Sequence, residues 1–209
     1  MRAPMPVAVV VLCGSAAVAR AGIVYDNTTT RTGAYHEILA TNQNDGPEDG
    51  NRITLGGTDR VVTSVSMPMR ILGPGAANFK YQFRIYANDG VGGTPGTQLW
   101  ASGLLNGGID AGVDLTYGAS VPNVHVPDSV TLTMQLTQRQ VFNAAIGIPT
   151  FTPPTVGASE TGYWRNNGGV WSQGGLGDAP FGAKITAIPG PATITLGALG
   201  VAGWKRRRR

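Results

Sequence analysis

The feature that most limits the fold of this chain is the alternation of apolar and polar residues with a period of two. In "FKYQFRIYA" the apolar set runs from Phe79 to Ile85, with Lys, Gln and Arg between its members. "SVTLTMQLTQ" alternates in the same way, and "RVVTSVSMPMRIL" and "GAKITAI" follow the pattern more loosely. Successive side chains of a β-strand point to opposite faces, so each stretch predicts a strand with one buried face.

Clusters rich in glycine and asparagine separate these stretches and predict turns. They are "NQNDGPEDGN", "NDGVGGTPGT", "LNGGIDAG" and "RNNGG". Pro68 has no backbone N–H to donate, so its strand is predicted to lie at a sheet edge or to be bulged. Short alternating strands joined by such turns favour an all-β fold. We predict an antiparallel jelly-roll-like β-sandwich, with an open barrel as the alternative.

The N-terminal segment, residues 1–21, has the layout of a secretory signal peptide. Arg2 precedes an apolar run that begins at Val7, and Ala19 and Ala21 occupy the small positions of an A-x-A cleavage pattern. Cleavage after Ala21 would leave residues 22–187 as a secreted domain and would remove the only cysteine of the chain. The sequence therefore predicts an exported domain without disulfides.

The C-terminal segment, residues 188–209, predicts contact with a membrane. The residues from Ala192 to Trp204 are uncharged and mostly apolar, and Lys205 and four arginines follow them. A helix of that length spans roughly 20 Å of a hydrocarbon core that is roughly 30 Å thick, so a transient span is favoured over a permanent anchor. The basic end would stay on the cytoplasmic side.

The order of features in this tail resembles the PEP-CTERM sorting signal. The motif reads Pro189-Gly190-Pro191-Ala192, the apolar stretch follows, and Arg206, Arg207, Arg208 and Arg209 close it; Gly190 replaces the usual glutamate of the family. The resemblance implies processing by exosortase, a membrane enzyme of bacteria that make extracellular polysaccharide. The stretches "GNRITLGGTDRVVTSVSM", "YANDGVGGTPGTQLWASG" and "FGAKITAI" also resemble secreted β-sandwich proteins that carry such tails and have no assigned activity.

The charge of the body argues against nucleic acid as a partner. The full chain carries 16 Lys and Arg against 12 Asp and Glu. Seven of the cations lie in the two end segments, which hold no acidic residue, so residues 22–187 have a net charge of −3. Binding to a phosphate backbone requires clustered cations, and those of the body are scattered singly.

No catalytic motif stands out in the body. His36 and His125 have no metal-ligand spacing, no G-x-S-x-G elbow is present, and the glycine-rich loops lack the lysine and helix of a phosphate-binding loop. His125 is predicted as a half-exposed strand residue. Carboxylates for sugar hydrolysis could be drawn from Glu37, Glu48, Asp49 or Glu160, but their spacing selects none of them. We predict that the protein is not an enzyme.

Two binding sites are compatible with the sequence. The turn "NQNDGPEDGN" offers hard oxygen ligands for a weak Ca²⁺ site, although the same residues are typical of a solvated loop. Its oxygen donors are Asn42, Asn44, Asp45, Glu48, Asp49 and Asn51. The hairpin predicted over "GYWRNNGGVWSQGG" carries Trp164 and Trp171, which could stack on sugar rings or could be cross-strand pairs.

The sequence as a whole predicts a structural or interaction protein of the cell surface or extracellular matrix. It would reach that location through an inner-membrane intermediate. The alternative is a carbohydrate-binding module, with or without calcium, that acts on extracellular polysaccharide; no other cofactor is predicted. A hydrolase whose site has no sequence motif is a third hypothesis.

Overall fold

The computed structural model describes residues 20–39, 45–138 and 145–190, and these residues form two antiparallel β-sheets. The predicted all-β architecture is therefore confirmed, and the arrangement is consistent with a β-sandwich. The segments read as the signal peptide and as the apolar tail lie almost entirely outside the described residues. Within the described residues, no helix is long and apolar enough to cross a membrane.

The described part of the chain contains fourteen strands and one short 3₁₀ turn, Val91–Gly93. The strands are β1 (Gly22–Asp26), β2 (Arg31–Leu39), β3 (Glu48–Thr54), β4 (Val61–Leu72), β5 (Ala76–Ala87), β6 (Gln98–Ala101), β7 (Leu105–Asp110), β8 (Asp114–His125), β9 (Ser129–Thr137), β10 (Ala145–Phe151), β11 (Ala158–Ser159), β12 (Tyr163–Asn167), β13 (Val170–Gly174) and β14 (Lys184–Ile188).

The first sheet is built around β4. Strand β8 pairs with β4 along one side, and β14 and β10 share the other side, where β14 pairs with Val61–Ser66 and β10 pairs with Arg70–Leu72. Strand β1 pairs with β14, and β2 pairs with β10, so the first and last described strands are neighbours. The second sheet has the order β13-β12-β3-β9-β5-β6, with β7 pairing with β5 and β11 pairing with β3.

The core lies between the two sheets and is made of the alternating apolar residues that the sequence pattern selects. Strand β5 buries every second side chain, because Phe83 and Ile85 face inwards while Gln82 and Arg84 face outwards. The largest fully buried side chains are Tyr25, Phe83, Phe181, Ile38, Ile53, Met67, Met69, Ile71, Ile85, Leu132 and Met134. Burial of apolar surface at about 25 cal/mol per Å² is the main force that holds the sheets together.

The strand of Pro68, β4, is central in its sheet and does not lie at an edge, but its pairing with β8 is irregular between Val62 and Ser64, in line with the alternative of a bulged strand. Pro68 pairs with Thr116 of β8 on one side. On the other side, the pairing of β4 with β14 ends at Ser66 and its pairing with β10 begins at Arg70. Pro68 lies in the gap between these two paired segments. A residue that donates no hydrogen bond is tolerated there because neither neighbouring strand pairs with it on that side.

Two predicted turns are partly strands. "LNGGIDAG" forms β7 over Leu105–Asp110, and the second half of "NQNDGPEDGN" belongs to β3, which begins at Glu48. The hairpin predicted over "GYWRNNGGVWSQGG" is present, with β12 and β13 joined at Gly168 and Gly169. Both glycines have positive φ angles, 62° and 94°, which tight hairpin turns require.

Candidate functional site

Strand β3 directs polar side chains into the sandwich. Asp49, Asn51 and Ile53 pair with Met134, Leu132 and Val130 of β9, whose side chains all face the core. Asp49 is completely buried and Asn51 is 1% exposed. The amide of Asn51 is satisfied by backbone groups, since it donates to the carbonyl of Gly162 at 2.6 Å and accepts from the N–H of Phe181 at 2.8 Å.

The carboxylate of Asp49 joins the two sheets. Arg165 of β12 donates to it twice, from Nε at 2.8 Å and from Nη2 at 2.6 Å. His36, which belongs to β2 in the opposite sheet, places Nε2 at 2.9 Å from Oδ2 of the same carboxylate. Hydrogen bonding to Asp49 raises the pKa of the Arg165 guanidinium. A buried carboxylate is tolerated only when it is paired and hydrogen-bonded, and this cluster meets that condition.

A cavity of about 350 Å³ adjoins His36. The imidazole stacks on Phe181 at a centroid distance of 4.6 Å and lies tilted against Tyr163 at 4.1 Å. The opposite part of the wall carries Thr32 and Thr150, whose hydroxyl oxygens are 2.6 Å apart. The cavity therefore combines an aromatic wall with hydroxyl groups and one imidazole, a lining that suits a small polar ligand.

The geometry allows binding more readily than nucleophilic catalysis. Within the described residues, no serine or threonine hydroxyl hydrogen-bonds to His36, whose recorded polar contacts are with Asp49 and Arg165. Such a bond between nucleophile and base is the arrangement that activates a hydroxyl.

Glu48 lies on the outer face of the second sheet, because it is adjacent to Asp49 along a strand. It is 4% exposed, and it contacts Arg84 at 2.9 Å and the hydroxyl of Thr133 at 2.5 Å. The amide of Asn166 is 3.3 Å from the same carboxylate. Glu48 and Asp49 therefore point to opposite faces and each is held by an arginine.

The donors predicted for calcium do not form one group in the described residues. Glu48, Asp49 and Asn51 are strand residues with protein partners, and Asp45 accepts from the backbone N–H of Gln138 at 2.9 Å. Asn42 and Asn44 lie outside the described residues. Nowhere in the described ranges do three or more His, Cys, Asp or Glu side chains converge in a way that could hold a metal ion.

The two tryptophans of the β12–β13 hairpin share the outer face of the second sheet but differ in exposure. Trp164 is 9% exposed and lies under the guanidinium of Arg52, at 5.4 Å from the ring centroid. It therefore offers no free face to a sugar ring. Trp171 is half-buried and meets Tyr86 edge-on at 5.1 Å. Of these two tryptophans, Trp171 is therefore the one that could contact a glycan.

The remaining predicted residues are distributed as follows. His125 ends β8, opposite Val61, and is an exposed strand residue. Pro189 and Gly190 directly follow β14, whereas Pro191, Ala192 and the arginines 206–209 lie outside the described residues. Ala21 directly precedes β1, and Ala19 is outside the described residues.

The cluster of His36, Asp49 and Arg165 was not predicted from the sequence. The available signal was the register of β3: once Ile53 is taken as a core residue, the period of two also turns Asn51 and Asp49 inwards. Comparison of the chain with protein families, curated proteins and solved structures finds no match.

Proposed function

We propose that this protein is exported and directed to the cell surface or extracellular matrix, where its β-domain has a structural or interaction role. The N-terminal segment acts as a cleaved signal peptide. The tail from Pro189 to Arg209 acts as a sorting signal that an exosortase-type membrane enzyme processes. The domain adopts a jelly-roll-like arrangement, which is supported by the passage of the chain from one sheet to the other after most of its strands.

The observation that carries this proposal is that the first and last strands end next to the two predicted processing sites. Strand β1 begins at Gly22, directly after the A-x-A pattern, and β14 ends at Ile188, directly before the Pro189-Gly190-Pro191 motif. Gly22 pairs with Ala187, so both ends leave the domain side by side. Two cuts at these positions would remove no strand, which is what maturation of a folded domain requires.

A role without catalysis is supported by the state of the two most buried carboxylates. Asp49 is bound by Arg165 and His36, and Glu48 is bound by Arg84 and Thr133. Each carboxylate is engaged by protein side chains, which leaves it poorly placed to act on a substrate as a general acid or base.

The test is the intact mass of the protein recovered from the surface and medium of a bacterium that carries an exosortase. We expect a species that begins at Gly22 and ends near Ala192. The same host without its exosortase, and a variant with Arg206–Arg209 replaced by serine, should both retain the tail. A mass that keeps Trp204 and the arginines in the complete host would contradict the proposal and indicate a permanent anchor.

A matched variant addresses the unusual residue of the motif. Gly190→Glu restores the glutamate that the sorting family carries between its prolines. If the tail is read by this enzyme, the variant should be processed at least as completely as the natural sequence. Equal retention of the tail in both would show that the enzyme does not act on this protein.

The second candidate function is binding of extracellular polysaccharide by the hairpin. It is favoured by the half-buried ring of Trp171, which projects from a sheet face beside Tyr86. Loss of glycan binding in Trp171→Ala would support it. Binding that survives chelation would remove calcium from the hypothesis.

A further inference from the structure

The lateral opening between the two sheets contains a groove that is separate from the His36 cavity and from the tryptophan hairpin. Strand β8 closes one sheet at this side, and β6 and β7 close the other. The groove has a volume of about 690 Å³ and is lined by Tyr81, Trp100, Ser102, Leu105 and Asn106 together with the segment 118–120. This volume lies within the range of roughly 300–1,000 Å³ that is typical of ligand sites.

The floor of the groove is aromatic and held in place. Trp100 pairs with Ile85 and so faces the interior side of the sheet, where it packs against the core while remaining half-buried. Tyr81 is fixed by edge-on contacts with Tyr117 at 5.2 Å and with Phe83 at 5.6 Å. Rings that are already ordered lose little conformational entropy when a ligand stacks on them.

The walls of the groove supply backbone and neutral polar groups. Ser102, Asn106 and Ser120 contribute to the lining, and Gly103 and Gly118 carry no side chain that would obstruct a ligand. A Cβ atom added at Gly103 would meet no atom within 4 Å. None of the lining residues is Asp, Glu, Lys, Arg or His.

The absence of charge from this lining argues against an ionic ligand. A carboxylate, phosphate or ammonium group would be partly desolvated in the groove without an opposite charge to compensate it. A peptide strand added to the free edge of β8 is also disfavoured. Pro122 and the left-handed Asn123, with φ of 54°, interrupt the strand soon after Ser120, and such interruptions protect sheet edges from pairing.

We propose that this groove, here called the Trp100 groove, binds a neutral saccharide. A sugar ring presents an apolar C–H face to the half-buried ring of Trp100, which the buried Tyr81 supports from below, and its hydroxyl groups exchange hydrogen bonds with the amide, hydroxyl and backbone groups of the walls. The proposal deepens the glycan-binding alternative above by naming a different site and the charge of the ligand, and it does not depend on processing of the tail.

The test measures binding of named hexasaccharides to the full-length protein by isothermal titration calorimetry. The neutral probes are cellohexaose, laminarihexaose and mannohexaose, and the anionic probe is hexagalacturonate. We expect at least one neutral probe to bind more tightly than the anionic probe. Trp100→Ala should weaken that binding at least tenfold, and Trp100→Phe, which keeps an aromatic face, should retain most of it.

Trp171→Ala distinguishes the two candidate sites, because it removes a half-buried indole from the hairpin: a saccharide bound in the Trp100 groove keeps its affinity in this variant, whereas one bound on the hairpin loses it. Thermal unfolding of each variant establishes that the domain is folded. The proposal is overturned if no neutral probe binds, if hexagalacturonate binds best, or if Trp171→Ala and not Trp100→Ala abolishes binding; the last result would assign the glycan to the hairpin. A dimer that forms through β8 and blocks the groove would also overturn it.

Discussion

Removal of Arg165 should destabilise the domain far more than the exposure of this arginine suggests. Its side chain is 29% exposed, but its partner Asp49 is completely buried. Arg165→Leu would leave the carboxylate with His36 as its remaining side-chain partner. Loss of one partner from a buried pair costs about 3–5 kcal/mol. In a domain of this size that corresponds to a decrease in Tm of roughly 6–20 °C, which urea unfolding and calorimetry would both detect.

The chain offers a closely matched control in Arg31. Its side chain is 30% exposed, it hydrogen-bonds to Asp114 through both terminal nitrogens, and it stacks on Tyr35 as Arg165 stacks on Tyr163. The difference is that Asp114 is 34% exposed. Arg31→Leu should therefore cost no more than about 1 kcal/mol.

A second substitution tests whether the buried charge of Asp49 causes the loss of stability in Arg165→Leu. Asp49→Asn in the Arg165→Leu background replaces the unpaired carboxylate by an amide of the same shape. The double variant should be more stable than Arg165→Leu alone, because an unpaired amide costs less to bury than an unpaired carboxylate. Equal losses for Arg165→Leu and Arg31→Leu, or a double variant less stable than the single one, would refute the reasoning.

Two further predictions concern the close packing of β3 against β9 and the ionisation of a buried tyrosine. Gly50→Ala should destabilise the domain by about 1–3 kcal/mol in urea unfolding, because its Cβ would lie 2.3 Å from the carbonyl oxygen of Leu132, whereas Gly103→Ala should be nearly neutral; equal effects would contradict the register of β3. Burial raises the pKa of Tyr25 to about 12 from 10.0, so its contribution to stability is complete below pH 10 and is lost as the pH rises through 12. Tyr25→Phe should flatten the alkaline decline in the free energy of unfolding, and an unchanged decline would show that Tyr25 does not cause it.

The strands of the core could be predicted because their alternation is strict. In β5 and β9 every second residue is apolar, and the structure buries that set. The hairpin was equally predictable, since Gly168 and Gly169 separate two strand-like segments. Strand β7 was not, because "LNGGID" contains two glycines and reads as a turn. Packing explains why position 107 is a glycine, because a Cβ atom there would lie 2.5 Å from the ring of Phe79.

The period of β3 indicates that Asp49 faces inwards, but the side chains that pair with it could not be predicted from local pattern. Composition assigns "EDGN" to a loop, and Glu48 and Asp49 look solvated until their partners are known. Those partners, Arg84, Arg165 and His36, are distant in sequence and come from three other strands. The partners of a buried charge depend on long-range pairing of strands, which the period of a single segment does not contain.

The register of the sheets also fixes where the two candidate sites lie relative to the ends of the domain. Gly22, Ile188 and His125 cluster at the end of the first sheet that carries Val61. His36 pairs with Ile148, next to the Gly147–Arg70 pair near the other end of β4. About eight strand residues, or roughly 27 Å, therefore separate the His36 cavity from the point where the tail leaves. The Trp100 groove lies beside the middle of β4, where Gly118 pairs with Ser66. Both sites therefore lie away from the end of the domain at which Gly22 and Ile188 leave the first sheet.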